Sequence, residues 1–267
     1  MDGIIIVNKP QGWTSFDVVA KIRSLTRVSK VGHSGTLDPM ATGVLPVFLG
    51  RATKSIQYFL NGDKGYEGEM TLGVRTDTGD ADGKVIPDIR LTGYPDIRDE
   101  DIRKIFQRFT GEITQVPPMY SAVKVNGQRL YKLARKGIEV KRQPRKVRIY
   151  DLRLVDSPHP PALNTPPSPR GRGIETNNLT QQPYRHPNPN PISFSVLCSK
   201  GTYIRQLAVD IGDELGCGAH LSKLIRTYAH PFRISQAIDM DVIVTMVKAG
   251  TLASAVIQPE EILNESK

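Results

Sequence analysis

Apolar positions recur along this chain in two rhythms. Alternation every second residue over Tyr66–Leu72, Arg145–Val155 and Ile192–Cys198 predicts half-buried strands. Unbroken apolar runs at Ile4–Val7 and Val44–Leu49 predict short strands covered on both faces, and His220–Thr227 reads as a further extended run. Helical spacing appears at Val18, Val19, Ile22 and Leu25, with Thr14 or Ser15 placed to cap that helix. The same spacing predicts helices over Ala52–Leu60, Asp101–Phe109 and Gln128–Lys136. It also predicts one from Ile204 through Leu215, capped by Thr202 and closed by Gly216. The tail after Pro231 reads as partly helical.

Two segments lack either rhythm. Thr76–Gly83, TDTGDADG, is acidic and turn-rich. Its carboxylates at 77, 80 and 82 miss the spacing of a calcium loop, so it reads as a plain turn. The 35 residues of Ser157–Pro191 hold ten of the twenty prolines and few large apolar side chains. Such a composition buries too little surface to fold, so it reads as a disordered insertion between two strands. Strands and helices alternate irregularly, which predicts an α+β fold with a mixed, largely antiparallel sheet flanked by helices and loops. No internal repeat is visible.

The 267 residues, 39% of them apolar, suffice for a sizeable core. No apolar stretch is long enough to cross a bilayer, and no basic region precedes the short apolar run near the N-terminus. Two cysteines, Cys198 and Cys217, argue against a disulfide framework or a zinc site and fit a reducing cytoplasm.

Charge changes the picture more. The net charge is +9, and Val123–Arg153 alone carries eleven basic and two acidic residues. The remaining 25 basic and 25 acidic groups cancel. A concentrated basic segment is the footprint of a polyanion, most often nucleic acid, although a solvated basic face has the same composition.

The candidate chemistry sits in Gly32–Gly50, GHSGTLDPMATGVLPVFLG. Asp38 lies between Leu37 and Pro39, flanked by glycines and threonines and followed by the Val44–Leu49 run. A carboxylate there can serve as nucleophile, base or ligand, and it can equally cap the turn. Only His33 stands nearby, which disfavours a metal site. Ser34 and His33 are neighbours and point apart, so a Ser-His-Asp hydrolase fails. No Gly-Lys-Ser/Thr ends the glycine stretch, so this is no P-loop.

GHSGTLDPMATGVLPVFLGRATK strongly resembles the catalytic motif of the bacterial TruB family of tRNA pseudouridine synthases. VNKPQGWTS at Val7–Ser15 resembles that family's N-terminal KPxG motif. DKGYEGEMTLGVRTDTGDADG at Asp63–Gly83 resembles its tyrosine-bearing strand, and QVPPMYSAVKVNGQRLYKLARKG at Gln115–Gly137 its RNA-gripping loop. SKGTYIRQLAVDIGDELG at Ser199–Gly216 resembles its arginine-bearing helix start. The likeness covers residues 1–156 and 192–260.

The resemblance implies a pseudouridine synthase catalytic domain over 1–260, with a basic gripping segment at 115–153 and a short tail at 261–267. It implies isomerisation of uridine to pseudouridine at position 55 in the T-loop of tRNA, with the target base flipped into a pocket. Asp38 would be the catalytic aspartate, Tyr66 the active-site tyrosine and Arg205 the partner of Asp38. Tyr203 would line the pocket, His33 would contact the RNA, Leu224 would pack near the target base, and Lys132, Arg135 and Lys136 would hold phosphates. No metal and no cofactor are expected, nor any membrane or required protein partner. The implied enzyme is a cytoplasmic monomer acting on the tRNA T-arm. The chain stops soon after Glu260–Glu261, which predicts that it lacks the small C-terminal PUA domain of many relatives. The contrasting reading is a non-catalytic tRNA-binding or tRNA-folding factor using the same basic surface. A phosphate-binding metabolic enzyme is disfavoured, because no cofactor fingerprint is present.

Overall fold

The hydrophobic rhythms correspond to elements along most of the chain. A computed structural model describes residues 1–87, 97–155 and 191–265. From the N-terminus come β1 (Gly3–Lys9), α1 (Ser15–Thr26), β2 (Val31–His33), β3 (Thr42–Leu49), α2 (Ile56–Phe59) and β4 (Lys64–Leu72). Next are β5 (Arg75–Thr76), β6 (Val85–Ile86), α3 (Asp99–Arg108), β7 (Gly111–Gln115), β8 (Lys124–Val125), β9 (Gln128–Arg129) and α4 (Leu130–Ala134). β10 (Arg145–Leu154), β11 (Ile192–Cys198), α5 (Ile204–Glu214), β12 (Ala219–Ala229), β13 (Phe232–Arg233), β14 (Ile238–Asp239), α6 (Met240–Ala249) and α7 (Pro259–Glu265) follow. The proline-rich insertion, apart from its last residue, lies outside the described residues.

Contacts divide the described residues into two units, 1–66 with 224–265 and 67–155 with 191–223. In the first, the strand order is β14-β1-β3-β12. β1 pairs antiparallel with β3 over its whole length, Gly3 opposite Leu49 and Lys9 opposite Gly43. One edge of β3 is thus filled. Its other edge takes β12 in parallel at Thr42 and Gly43, and β2 antiparallel at Val47 to Leu49. The core gathers Ile4, Ile6, Val44, Phe48, Phe59 and Phe232, with the Phe59 ring centroid 5.4 Å from Phe48 and 5.5 Å from Phe232. Each such fully buried side chain stabilises the fold by roughly 1.5–3 kcal/mol.

In the second unit the order is β4-β11-β10-β7, with β10 antiparallel to both of its neighbours. Helix α3 buries Ile102, Ile105 and Phe106 and lies against β10 and α5. Both units therefore combine sheet and helix, the first with parallel and antiparallel pairing together, and the α+β expectation holds.

Several local expectations change. Thr14, not Ser15, caps α1, in a reciprocal pair with Asp17. Ala52–Leu60 forms a 3-10 stretch over Gly50–Ser55 and then one α-helical turn. The Thr53 and Ser55 hydroxyls bond the carbonyls of Gly50 and Ala52, three residues back, and so compete with the α-helical ladder. The Gln128–Lys136 helix shortens to α4. Asn126 and Gly127, both at positive φ, turn the chain tightly and draw Gln128 and Arg129 into a hairpin with β8. Thr202 does not cap α5, because its hydroxyl donates to the Ser199 carbonyl. The acidic turn is the tip of a hairpin that pairs β5 with β6.

Candidate active site

In the first unit, residues 34–41 link the end of β2 to the start of β3 and carry Asp38 at the middle, half-buried. Both its neighbours are fastened. The Leu37 amide donates to the Ser15 hydroxyl oxygen at 2.9 Å, and that hydroxyl donates to the Leu37 carbonyl at 3.2 Å. The Pro39 carbonyl accepts from the Gly12 amide at 2.8 Å and from the Lys9 ammonium at 3.1 Å. Lys9 is wholly buried and also donates to the carbonyls of Pro10 and Trp13. The Ala41 amide closes a turn on the Asp38 carbonyl at 3.1 Å. Leu37 and Met40 are buried anchors. A loop bound this densely holds its one carboxylate in a single geometry.

Glycine is required at two points. Gly35 sits at φ +89, and Gly43 at φ +97 has the Arg226 carbonyl oxygen 2.3 Å from where a Cβ would be, so only glycine fits there.

The loop lies among buried cations. Lys64 is buried on β4, two residues before Tyr66, which is itself buried. Arg226, fully buried on β12, donates from Nε to the Val44 carbonyl at 2.7 Å and from Nη2 to the Gly35 carbonyl at 3.1 Å. Burial pushes its guanidinium below the usual arginine range, while the Tyr66 phenol, first through its electrostatics and then as a hydrogen-bonding group, works the other way. Leu224, two residues earlier on β12, is buried on the same face. His33 ends β2. Burial first, and then the Arg226 charge, hold its imidazole below the ordinary histidine range, so it is neutral at pH 7. Its Nδ1 is buried without a hydrogen-bond partner among the described residues.

In the second unit, Arg205 is buried in the first turn of α5. Its Nη1 donates to the Thr78 carbonyl at 2.9 Å and its Nη2 to the Tyr120 carbonyl at 2.7 Å, while Nε faces the Asp80 carboxylate at 3.5 Å. Asp80 is equally buried and accepts from the Thr78 hydroxyl and the Asp82 amide. A buried pair satisfied in this way fixes the direction of the guanidinium. Tyr203, half-buried just before α5, exchanges two backbone bonds with the Gln115 carboxamide at the end of β7. Arg205 also lines a cleft of about 240 Å³ with Thr78, Pro118, Met119 and Arg142.

Lys132, Arg135 and Lys136 are all exposed on and just after α4, with the Arg135 guanidinium 5.5 Å from the centroid of the Tyr131 ring. They form an open cationic face beside one aromatic.

Thus Asp38, His33, Tyr66 and Leu224 lie in the first unit, and Arg205, Tyr203 and the three basic residues in the second. Sequence reasoning missed Lys9, Arg226 and Asp80. A lysine or arginine reads as solvated until its burial is known, and Asp80 reads as part of a plain turn. The KPxG resemblance was the one signal that pointed at Lys9. Among the described residues, no cluster of three or more His, Cys, Asp or Glu could hold a metal ion, and no helix is long and apolar enough to cross a membrane.

Comparison with known proteins adds to this geometry. Residues 23–166 match the family model described as TruB family pseudouridylate synthase (N terminal domain). Residues 205–263 match the tRNA pseudouridylate synthase B C-terminal domain. The tRNA pseudouridine synthase B of Geobacillus thermodenitrificans is 44% identical over 98% of this chain and 78% of its own length. That of Francisella philomiragia is 43% identical over 90% of this chain and 69% of its own. Among solved structures, a chain of a Cbf5-Nop10-Gar1 complex aligns with a TM-score of 0.62 at 30% identity, covering 91% of this chain and 54% of that one. A chain of an H/ACA RNP bound to a substrate RNA containing 2'-deoxyuridine aligns with a TM-score of 0.62 at 26% identity, covering 96% and 59%. The present chain thus spans little more than half the length of those two.

Proposed function

The chain belongs to the TruB family of pseudouridylate synthases and isomerises uridine to pseudouridine in tRNA, and from that premise we propose that Asp38 is the carboxylate that acts on a T-loop uridine at position 55. One observation carries the assignment: the residue on each side of Asp38 is tied down by buried side chains. That is how a reacting group is held still while its substrate turns.

The reaction breaks the N-glycosidic bond, rotates the uracil and joins its C5 to the sugar, with loss of the C5 hydrogen. Its atoms and electrons balance without an oxidant or an energy source, so these residues can serve with no cofactor. Asp38 acts on the base or the sugar. Arg205, oriented by Asp80 and two carbonyls, is the partner that the family resemblance implies for Asp38. Tyr66 stacks on the extruded base, Leu224 packs beside it, and Tyr203 lines the pocket. His33, neutral and flat, stacks in the gap the base leaves. Lys132, Arg135 and Lys136 hold phosphates and position the arm without reading its sequence. The enzyme works as a cytoplasmic monomer with no protein partner. A non-catalytic tRNA-folding factor would need the basic face but not the pinned carboxylate.

The test is to incubate the protein with tRNA tritiated at uridine C5 and to map the product. Tritium release with pseudouridine at position 55 is expected. No release, or modification confined to other positions, would contradict the proposal.

A further inference from the structure

A fully buried arginine whose partners are two carbonyls and a phenol is an uncommon use of charge. Arg226 is such a residue. Its guanidinium lies at the edge of β3, where β12 stops pairing at Gly43 and β2 begins at Val47. Nε bonds the Val44 carbonyl just after the Asp38 loop, Nη2 bonds the Gly35 carbonyl just before Asp38, and the Tyr66 phenol interacts electrostatically with the same guanidinium. None of these three partners is a carboxylate. Removing a guanidinium from water costs several kcal/mol, and an apolar side chain of similar length would fill the space without that cost. Packing alone therefore does not account for an arginine here. Its planar fork is what can reach both loop carbonyls and the phenol at once, which a lysine cannot do.

We propose that Arg226 is a positioning residue for the isomerisation, joining both ends of the Asp38 loop to the Tyr66 hydroxyl so that carboxylate and ring meet the target nucleotide at a fixed separation. The assignment rests on the reading of Asp38 and Tyr66 given above. It requires that loss of the guanidinium slow the chemical step while leaving capture of tRNA intact, since none of its partners lies on the basic face. It also requires that Arg226 and the Tyr66 hydroxyl act as one unit.

The experiment is single-turnover tritium release, with tRNA affinity measured in parallel, for Arg226→Gln, Arg226→Lys, Tyr66→Phe and the Arg226→Gln/Tyr66→Phe pair. Arg226→Gln is expected to slow release on the order of 100-fold, with affinity within about threefold of the wild type. Arg226→Lys should recover part of the rate. In the Tyr66→Phe background the Arg226→Gln penalty should shrink at least roughly fivefold, as it does for coupled residues. A release rate within about threefold of wild type for Arg226→Gln, or a penalty undiminished by Tyr66→Phe, would overturn the proposal. Asp38→Asn run alongside separates the two readings. If it still releases tritium, the site itself is misassigned. If it is inactive while Arg226→Gln is not, only the role of Arg226 falls. Should the Arg226 variants not fold, Tyr66→Phe alone decides by amide hydrogen exchange. Faster exchange across residues 34–46 supports the link, and unchanged exchange contradicts it.

Discussion

The Asp38 loop and the basic segment around α4 are both irregular stretches with functional side chains, yet they are built in opposite ways. The loop's backbone is gripped by side chains from outside it: Ser15 on Leu37, Lys9 on Pro39, Arg226 on Gly35. Around α4 only Leu130 is fully buried, and the three cations stand in solvent. The difference suits the two tasks. Bond-making tolerates errors of a fraction of an ångström, so charge is buried to fix the backbone. Holding phosphates needs only charge within reach, so long side chains are left free to adapt. On the proposed reading, Lys9 and Arg226 pin the loop from inside, and Lys132, Arg135 and Lys136 grip the tRNA from solvent.

That contrast can be broken from either side. The largest effect is expected for Lys9→Met. It fills the same space but takes one donor from each of three carbonyls, leaving Pro39 only the Gly12 amide, and should cost about 3 kcal/mol of stability in urea unfolding, with loss of activity. Equal stability would mean that the ammonium does not hold the loop. Changing Lys132, Arg135 and Lys136 together to Gln should do the reverse. Stability should stay within about 0.5 kcal/mol, tRNA affinity should fall roughly tenfold, and the slope of log K against log salt should flatten by about 2. An unchanged slope would place the phosphate contacts elsewhere.

The smallest effect concerns α5, the helix that carries Arg205. Burial, with a lesser push from Asp213, raises the Asp210 carboxyl to about 6, although the Gln206 amide partly offsets it. The folded chain thus keeps this proton at pH values where the unfolded chain, near the ordinary 3.8, has lost it. The resulting penalty is absent at low pH, grows as pH rises from about 4, and is complete above about 6. Asp210→Asn should therefore raise Tm by roughly 2 °C at pH 7.5 and leave it unchanged near pH 4. A shift of equal size at both pH values would contradict the assignment.

Much of this was legible in the residue pattern. Strands β3, β4, β10 and β11 follow their apolar rhythm closely, because burial on one or both faces is written in every second residue. The short elements were not legible. Thr53 and Ser55 hydroxyls, and the Asn126-Gly127 turn, override a helical pattern through local bonds that periodicity does not register. Asp38, Tyr66 and Arg205 were identified through motif likeness rather than through physics, since capping explained the carboxylate equally well. The pins stayed hidden for a physical reason. What makes Lys9, Arg226 and Asp80 informative is where they are buried and what they face, and both depend on contacts far apart in sequence: Arg226 reaches Gly35, 191 residues away, and Asp80 meets Arg205.

The central claim is that a pinned Asp38 performs the isomerisation while a separate basic face holds the tRNA. Single-turnover tritium release by Asp38→Asn, with tRNA binding measured on the same preparation, tests it most directly. The account predicts no detectable release with affinity close to that of the wild type. Release at a wild-type rate, or loss of binding together with release, would contradict it.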